Sequence, residues 1–187
     1  MDNLILKAIL IFALPVVIIL WTGYLMVQLS GGEQVSKLHD KSGREIPGLG
    51  TRRTGYDLDA IDQRWTALGA NLKYERLGLE LDLVYPFIYG GALAAALLLT
   101  WAQLGRTFSP FFLIAPVALT MIADWTENSI QLGQLKLFEV SHRAGLQSTW
   151  IRVASFATMT KVWLLIGSSL LLIGLLVWMV VRGVTQR

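Results

Sequence analysis

The chain has 187 residues, of which 54% are hydrophobic and 16% charged, and it contains no cysteine. The charged fraction lies well below the roughly 25% that is usual in soluble domains, and the mean hydropathy is +0.54. This composition argues against a disordered chain, a disulfide scaffold and a thiolate metal site. The formal charge is +3, but the basic residues are scattered, so we expect no nucleic-acid partner.

Four long apolar stretches follow one another along the chain, and each has about the length that a helix needs to cross a bilayer. The first carries no charge, contains Pro15 and is interpreted as an uncleaved signal anchor. The third opens with Ser109-Pro110, a favourable helix start, and the fourth is bounded by Lys161 and Arg182. The runs are continuous rather than alternating, which predicts helices and not barrel strands. The predicted spans are residues 8–29, 83–103, 109–133 and 162–181.

The predicted fold class is therefore all-α, a polytopic membrane protein built as a four-transmembrane-helix bundle. It forms a single domain over residues 1–187, with a partly helical loop, residues 30–82, between spans one and two. Apolar residues recur at helical spacing from Leu58 to Leu68 behind a cap region that contains Thr54 and Asp57. This pattern predicts an amphipathic helix that lies on the membrane surface or against the bundle.

The sidedness of the chain depends on charge. Four spans place both termini on one side and the long loop, together with residues 136–150, on the other, which we call the loop side. A raw count of Lys and Arg favours a cytoplasmic loop side, but the loop's eight bases are balanced by nine acids. The first span, preceded by Lys7 and a short tail, is typical of an anchor whose N-terminus is cytoplasmic. Three loop arginines, Arg52, Arg53 and Arg64, are candidates for contact with lipid headgroups.

A stripe of polar residues interrupts the third span. Asp124, Glu127, Asn128 and Gln131 are spaced i, i+3, i+4 and i+7, so they share one face of a helix. Asp124 lies about 21 Å along the helix from its start, inside the loop-side leaflet. A charge near the bilayer centre costs at least about 2.5–3.5 kcal/mol, so such a group normally faces a partner or a cavity.

Other spans carry polar residues at the same depth. Asp82, Tyr85 and Tyr89 fall on one face at the loop-side end of the second span, Lys161 begins the fourth, and Tyr24 with Gln28 ends the first. A polar pocket that opens toward one interface satisfies this distribution. The predicted ligand-binding set is Asp82, Tyr85, Tyr89, Asp124, Glu127, Asn128, Gln131 and Lys161.

Three interpretations of the polar cluster remain open: glue between helices, a ligand or substrate pocket, and a proton or ion pathway. A metal site is not expected. Glu139 and His142 have the E-x-x-H spacing of bundle metal sites, but a second copy is missing, and such a lone pair is usually a solvated surface. Neither His39 nor His142 lies in a predicted span, which argues against intramembrane haem, and we expect no cofactor.

Two motifs carry a family resemblance. One is L-D-x-x-Y-P-x-x-Y-G at residues 81–90, after the short amphipathic helix, and the other is A-D-x-x-E-N at residues 123–128. Together they resemble a group of uncharacterised bacterial four-helix membrane proteins with the second motif in the third helix. The resemblance covers roughly residues 56–168 and implies a bacterial inner membrane location, but no activity. A looser likeness, in helix count and buried carboxylates, is to the sterol-isomerase-type four-helix family.

Three functional hypotheses follow. In the first, the protein is a non-enzymatic bundle, either an accessory subunit of a membrane complex or a binder of a lipophilic small molecule; its partners are the lipid bilayer and such subunits or ligands. In the second, it is an isomerase- or hydrolase-like membrane enzyme acting on a lipid or isoprenoid-like substrate, with Asp124 or Glu127 as the acid/base and Lys161 as the charge partner. The third is a proton-coupled carrier that works as an oligomer. The first leads, because no catalytic motif is present.

Overall fold

A computed structural model describes residues 4–32, 35, 38, 39, 43, 45–106 and 108–185 of the chain. Over these residues the protein is helical, and no strand is present beyond one isolated bridge between His39 and Glu45. The helices are α1 (Leu4–Leu29), α2 (Leu58–Leu68), α3 (Leu72–Leu81), α4 (Tyr85–Gln103), α5 (Phe111–Ser141) and α6 (Ser148–Thr185). The all-helical fold and its four long helices agree with the prediction.

Three helical stretches are long and apolar enough to cross a membrane: Leu4–Leu29, Leu58–Gln103, which contains α4, and Ser148–Arg182. Helix α5, the predicted third span, is not among them. Its middle carries Asp124 and Glu127, and these charged side chains are buried within the protein. Internal burial is the reason that a helix with this polar content can still lie inside the bundle.

Helices α5 and α6 are longer than the predicted spans. The prediction placed a loop at residues 136–150, but α5 continues to Ser141 and α6 begins at Ser148. The connection is therefore a short turn, in which His142 has a φ of 48°. The extensions beyond the predicted spans form an apolar core with the long loop, which explains why they remain ordered helix.

The loop helices cap one end of the bundle. Helix α2 begins where the Asp57 side chain accepts a hydrogen bond from the Ala60 amide at 2.9 Å, so Asp57 is the capping residue within the predicted cap region. Its apolar face, centred on the fully buried Trp65, packs against α5 and α6 and not on a lipid surface. The loop-side core thus contains Ile61, Trp65 and Leu68 of α2 with Leu135, Phe138, Ile151 and Ala154 of the two long helices.

A second apolar core fills the opposite end of the bundle, where α4, α5 and α6 meet. It includes Leu97 of α4, Val117 of α5 and Leu176 of α6, all buried. The polar stripe of α5 lies between residues that belong to the two cores, Val117 on one side and Leu135 on the other. The fold therefore encloses one polar layer between two apolar ones.

Backbone-directed hydrogen bonds fix the helices around this layer. Trp125 donates to the Leu83 carbonyl at 2.8 Å, and Asn128 donates to the Asp82 carbonyl at 3.0 Å. Both bonds tie the turn between α3 and α4 to α5. The Tyr85 hydroxyl donates to a carbonyl of α1 at 3.0 Å, so α1 is held beside α4 at the level of the polar layer.

Candidate functional site

A lysine and two carboxylates form the centre of the polar layer. The Lys161 Nζ atom lies 2.8 Å from Asp124 Oδ1 and 2.6 Å from Glu127 Oε2. The lysine side chain is 14% exposed, the aspartate 8% and the glutamate not at all. Two buried carboxylates thus share one ammonium, and the cluster carries a formal excess of one negative charge.

Neutral donors add further hydrogen bonds to the two carboxylates. Asp124 accepts from the Tyr89 hydroxyl at 2.8 Å and from the Asn128 amide at 3.1 Å, while Glu127 accepts from the Gln131 amide at 2.9 Å. Buried charges are tolerated when partners and additional hydrogen bonds satisfy them. The four stripe residues of α5 therefore form one connected network, as their shared helical face predicted.

The long loop contributes Tyr56 to this network. The Gln131 amide donates to the Tyr56 hydroxyl at 2.8 Å. Burial raises the pKa of Tyr56, and the negative charge of Glu127 raises it further. The phenol therefore stays neutral. The backbone amide of Tyr56 donates to Ser155 Oγ at 2.8 Å, which fixes this part of the loop against α6.

The polar layer borders a cavity of about 720 Å³. This volume lies within the range of about 300–1,000 Å³ that is typical of small-molecule sites. All eight residues of the predicted binding set line it. The structure therefore brings these residues together, while their role in binding remains a prediction.

The cavity is amphipathic. Charged and amide side chains occupy one part of its wall, and an apolar strip of α6 forms another, through Val162, Leu165 and Ile166. These positions and Ser169 recur at one helical face, directly after Lys161. Ile19 of α1 faces the same cavity. A molecule with a polar head and an apolar body would match this division of the wall.

Some lining residues were not found from the sequence. Arg64 and Glu75 form a buried ion pair, with Nε–Oε1 and Nη2–Oε2 distances of 2.8 Å. They come from α2 and α3, whose mutual packing no periodicity predicts. Gly50 also lines the cavity, and a Cβ atom there would lie 3.6 Å from Glu127 Oε1. The part of the loop before residue 58 shows no helical periodicity, so its path could not be predicted from the sequence.

Several predictions need correction. Lys161 does not begin a helix at the membrane surface, because α6 starts 13 residues earlier, and the lysine lies inside the bundle. Arg64 does not face lipid headgroups, since its side chain is buried against Glu75. Tyr24 does not line the cavity, and its side chain is 57% exposed. The polar residues predicted on the other long helices do line the cavity.

The E-x-x-H pair belongs to the surface of the bundle. Glu139 forms an ion pair with Arg76, and the ring of His142 packs edge-on against Phe138 at 5.6 Å. Among the described residues no group of three or more His, Cys, Asp or Glu side chains is placed to hold a metal ion.

Comparison of the chain with protein-family models, with curated proteins and with solved structures found no significant match. The residues of the cavity themselves define the chemistry that it can support. It offers carboxylates, amides, phenols and an ammonium next to an apolar wall. Such a set can bind and orient a polar head, and a lysine between two carboxylates can also relay a proton.

Proposed function

We propose that this protein is an integral membrane protein that binds a lipophilic small molecule in the cavity beside Asp124, Glu127 and Lys161. One observation carries the proposal: a cavity of about 720 Å³ joins the charged cluster to the apolar strip of α6. If the polar cluster only held the helices together, we would expect close packing around it and no cavity of this volume, because protein interiors are close-packed. The proposed polar head lies on the polar side of the cavity wall, and the apolar body lies along α6.

The proposal includes a location. All four long helices, α5 among them, cross a bacterial inner membrane, with the N-terminus in the cytoplasm. The apolar surface of α1 supports insertion, since large side chains such as Leu14, Leu20 and Trp21 are more than 60% exposed. Cysteine labelling from each side of the membrane, at a residue introduced in the long loop, tests the orientation.

Native mass spectrometry of the protein, extracted from its own membrane in mild detergent, tests the binding proposal. We expect a bound adduct of lipid or small-molecule mass on the wild type. The variant Ile166→Trp narrows the cavity and should lose the adduct, whereas the matched variant Ile173→Trp, on the exposed surface of α6, should keep it. An adduct retained equally by both variants would place the ligand outside the cavity.

A second candidate function is that of a membrane enzyme acting on a lipid or isoprenoid-like substrate. The observation in its favour is that Lys161 lies within hydrogen-bond distance of both carboxylates, an arrangement suited to moving a proton. In this role Asp124 or Glu127 is the acid/base. The variant Asp124→Asn would then abolish turnover of the identified ligand without loss of its binding.

The same mass spectrum tests the accessory-subunit hypothesis. The exposed side of α1 offers an apolar surface that another membrane protein, as well as lipid, can cover. Co-purification of a second chain at fixed stoichiometry would support a subunit role, and a single chain with only its adduct would favour autonomous binding.

A further inference from the structure

Most charges that line the cavity neutralise one another. Arg64 binds Glu75 through two parallel hydrogen bonds of 2.8 Å, and Lys161 lies between Asp124 and Glu127. Bidentate pairs between an arginine and a carboxylate are among the strongest in proteins. These five groups are thus engaged with each other before any ligand arrives.

Two charged groups of the wall, one of each sign, remain. Arg53 and Asp82 both line the cavity, and neither side chain has a hydrogen-bond or ion-pair partner among the described residues. Arg53 is exposed, which places it at the mouth of the cavity, while Asp82 is half-buried. Asp82 uses only its backbone carbonyl, which accepts from Asn128.

The net charge of the cavity wall also restricts the charge that the headgroup of the ligand can carry. Among the residues that the structure describes, four carboxylates and three cations line the cavity, which gives this part of the wall a formal charge of minus one. A purely anionic head would meet a single free cation and an excess of negative charge. A head that carries both signs would match both free groups.

We propose that the ligand is a zwitterionic phospholipid whose head carries a primary ammonium. Arg53 binds the phosphate, for which a guanidinium is well suited, and Asp82 accepts hydrogen bonds from the ammonium. The acyl chain lies along Val162, Leu165 and Ile166 of α6. This inference rests on the proposed function and names the ligand class of the same cavity.

Binding of matched lysolipids to the purified full chain tests the inference. Lysophosphatidylethanolamine carries the ammonium, lysophosphatidylglycerol of the same chain length lacks it, and lysophosphatidylcholine keeps the charge but has no N–H donor. A hydrogen bond to a charged group changes affinity by about tenfold or more. We therefore expect the wild type to bind the ethanolamine lipid at least about tenfold more tightly than either of the others.

Two variants test which residue binds the ammonium and which binds the phosphate of the headgroup. Asp82→Asn should remove the preference for the ethanolamine lipid, and it should not weaken binding of the anionic glycerol lipid, because it removes a negative charge from the wall. Arg53→Gln should weaken all three lipids, because each carries the phosphate. The melting temperature of each variant in detergent shows whether it folds, and the comparison of three lipids on the wild type remains decisive if one variant does not fold.

The outcomes separate this inference from the proposed function. Equal affinity of the wild type for all three lipids, or a preference that survives in Asp82→Asn, would overturn the zwitterion assignment while cavity binding stands. Binding of a lysolipid that Ile166→Trp does not weaken would overturn both, as would binding of none of the three lipids together with no adduct from the native membrane.

Discussion

Replacement of Lys161 by methionine removes the cation that Asp124 and Glu127 share and keeps an unbranched side chain. Among the described residues, no other cation lies within ion-pairing distance of these two carboxylates. Removal of one partner from a buried ion pair typically costs about 3–5 kcal/mol, because the remaining charge is buried without compensation. We expect a loss of folding free energy in this range.

The variant Glu127→Gln gives a second point on the same scale. The amide keeps an oxygen that can accept from Gln131, and Lys161 keeps its pair with Asp124 at 2.8 Å. We therefore expect a loss of only about 1 kcal/mol, the usual net value of one hydrogen bond. Lys161→Met should therefore cost more free energy of unfolding than Glu127→Gln. The lysine forms ion pairs with two carboxylates, whereas Glu127 forms an ion pair with one lysine.

Unfolding in mixed micelles with increasing dodecyl sulfate, followed by circular dichroism, measures both losses. Lys136→Met is the matched control, because Lys136 is exposed on α5 and its loss should cost less than about 0.5 kcal/mol. If Lys161→Met and Lys136→Met were equally stable, the lysine would not neutralise the cluster, and the reasoning would be refuted.

Three further predictions concern other parts of the fold. Arg64→Met should cost about 3–5 kcal/mol of folding free energy, since it leaves the buried Glu75 carboxylate unpaired. Arg76→Met, which breaks a more exposed ion pair, should cost under about 1 kcal/mol in the same assay. Equal losses would contradict burial as the cause of the difference. Gly55→Ala should cost about 2–3 kcal/mol by thermal unfolding, because φ is +76° and the new Cβ atom meets a serine hydroxyl of α6. Gly69→Ala should cost less, about 1 kcal/mol, because its φ of +50° is also unfavourable for alanine but its Cβ atom would meet nothing within 4 Å. Tyr85→Phe should cost about 1 kcal/mol and speed proteolysis of α1, whose carbonyl loses its hydrogen bond; unchanged proteolysis would argue against this tie.

The sequence was informative about the polar layer because helical periodicity does not depend on the rest of the fold. The spacing of Asp124, Glu127, Asn128 and Gln131 places them on one face whatever that face meets. The cost of charge in an apolar span then requires partners at the same depth. Lys161 and Tyr89 meet that requirement, and both contact Asp124 in the structure.

The remaining features depend on tertiary contacts that no local pattern encodes. The limits of α5 and α6 could not be read from hydropathy, because their polar extensions are ordered by Trp65 and its neighbours. Arg64 was predicted at the surface because its ion pair with Glu75 depends on the packing of α3 against α2, which the sequence pattern does not show. The path of the glycine-rich loop across the cavity also depends on this packing, so Gly50 and Arg53 could not be placed from the sequence.

Photocrosslinking tests the central claim, that the cavity holds an amphiphile, most directly. The probe is lysophosphatidylethanolamine with a diazirine in its acyl chain, applied to the protein in detergent and mapped by tandem mass spectrometry. We expect labelling at Ile166, on the cavity wall, that excess unlabelled lipid suppresses. Labelling confined to exposed positions of the same helix, such as Leu170, and insensitive to competitor would contradict the claim.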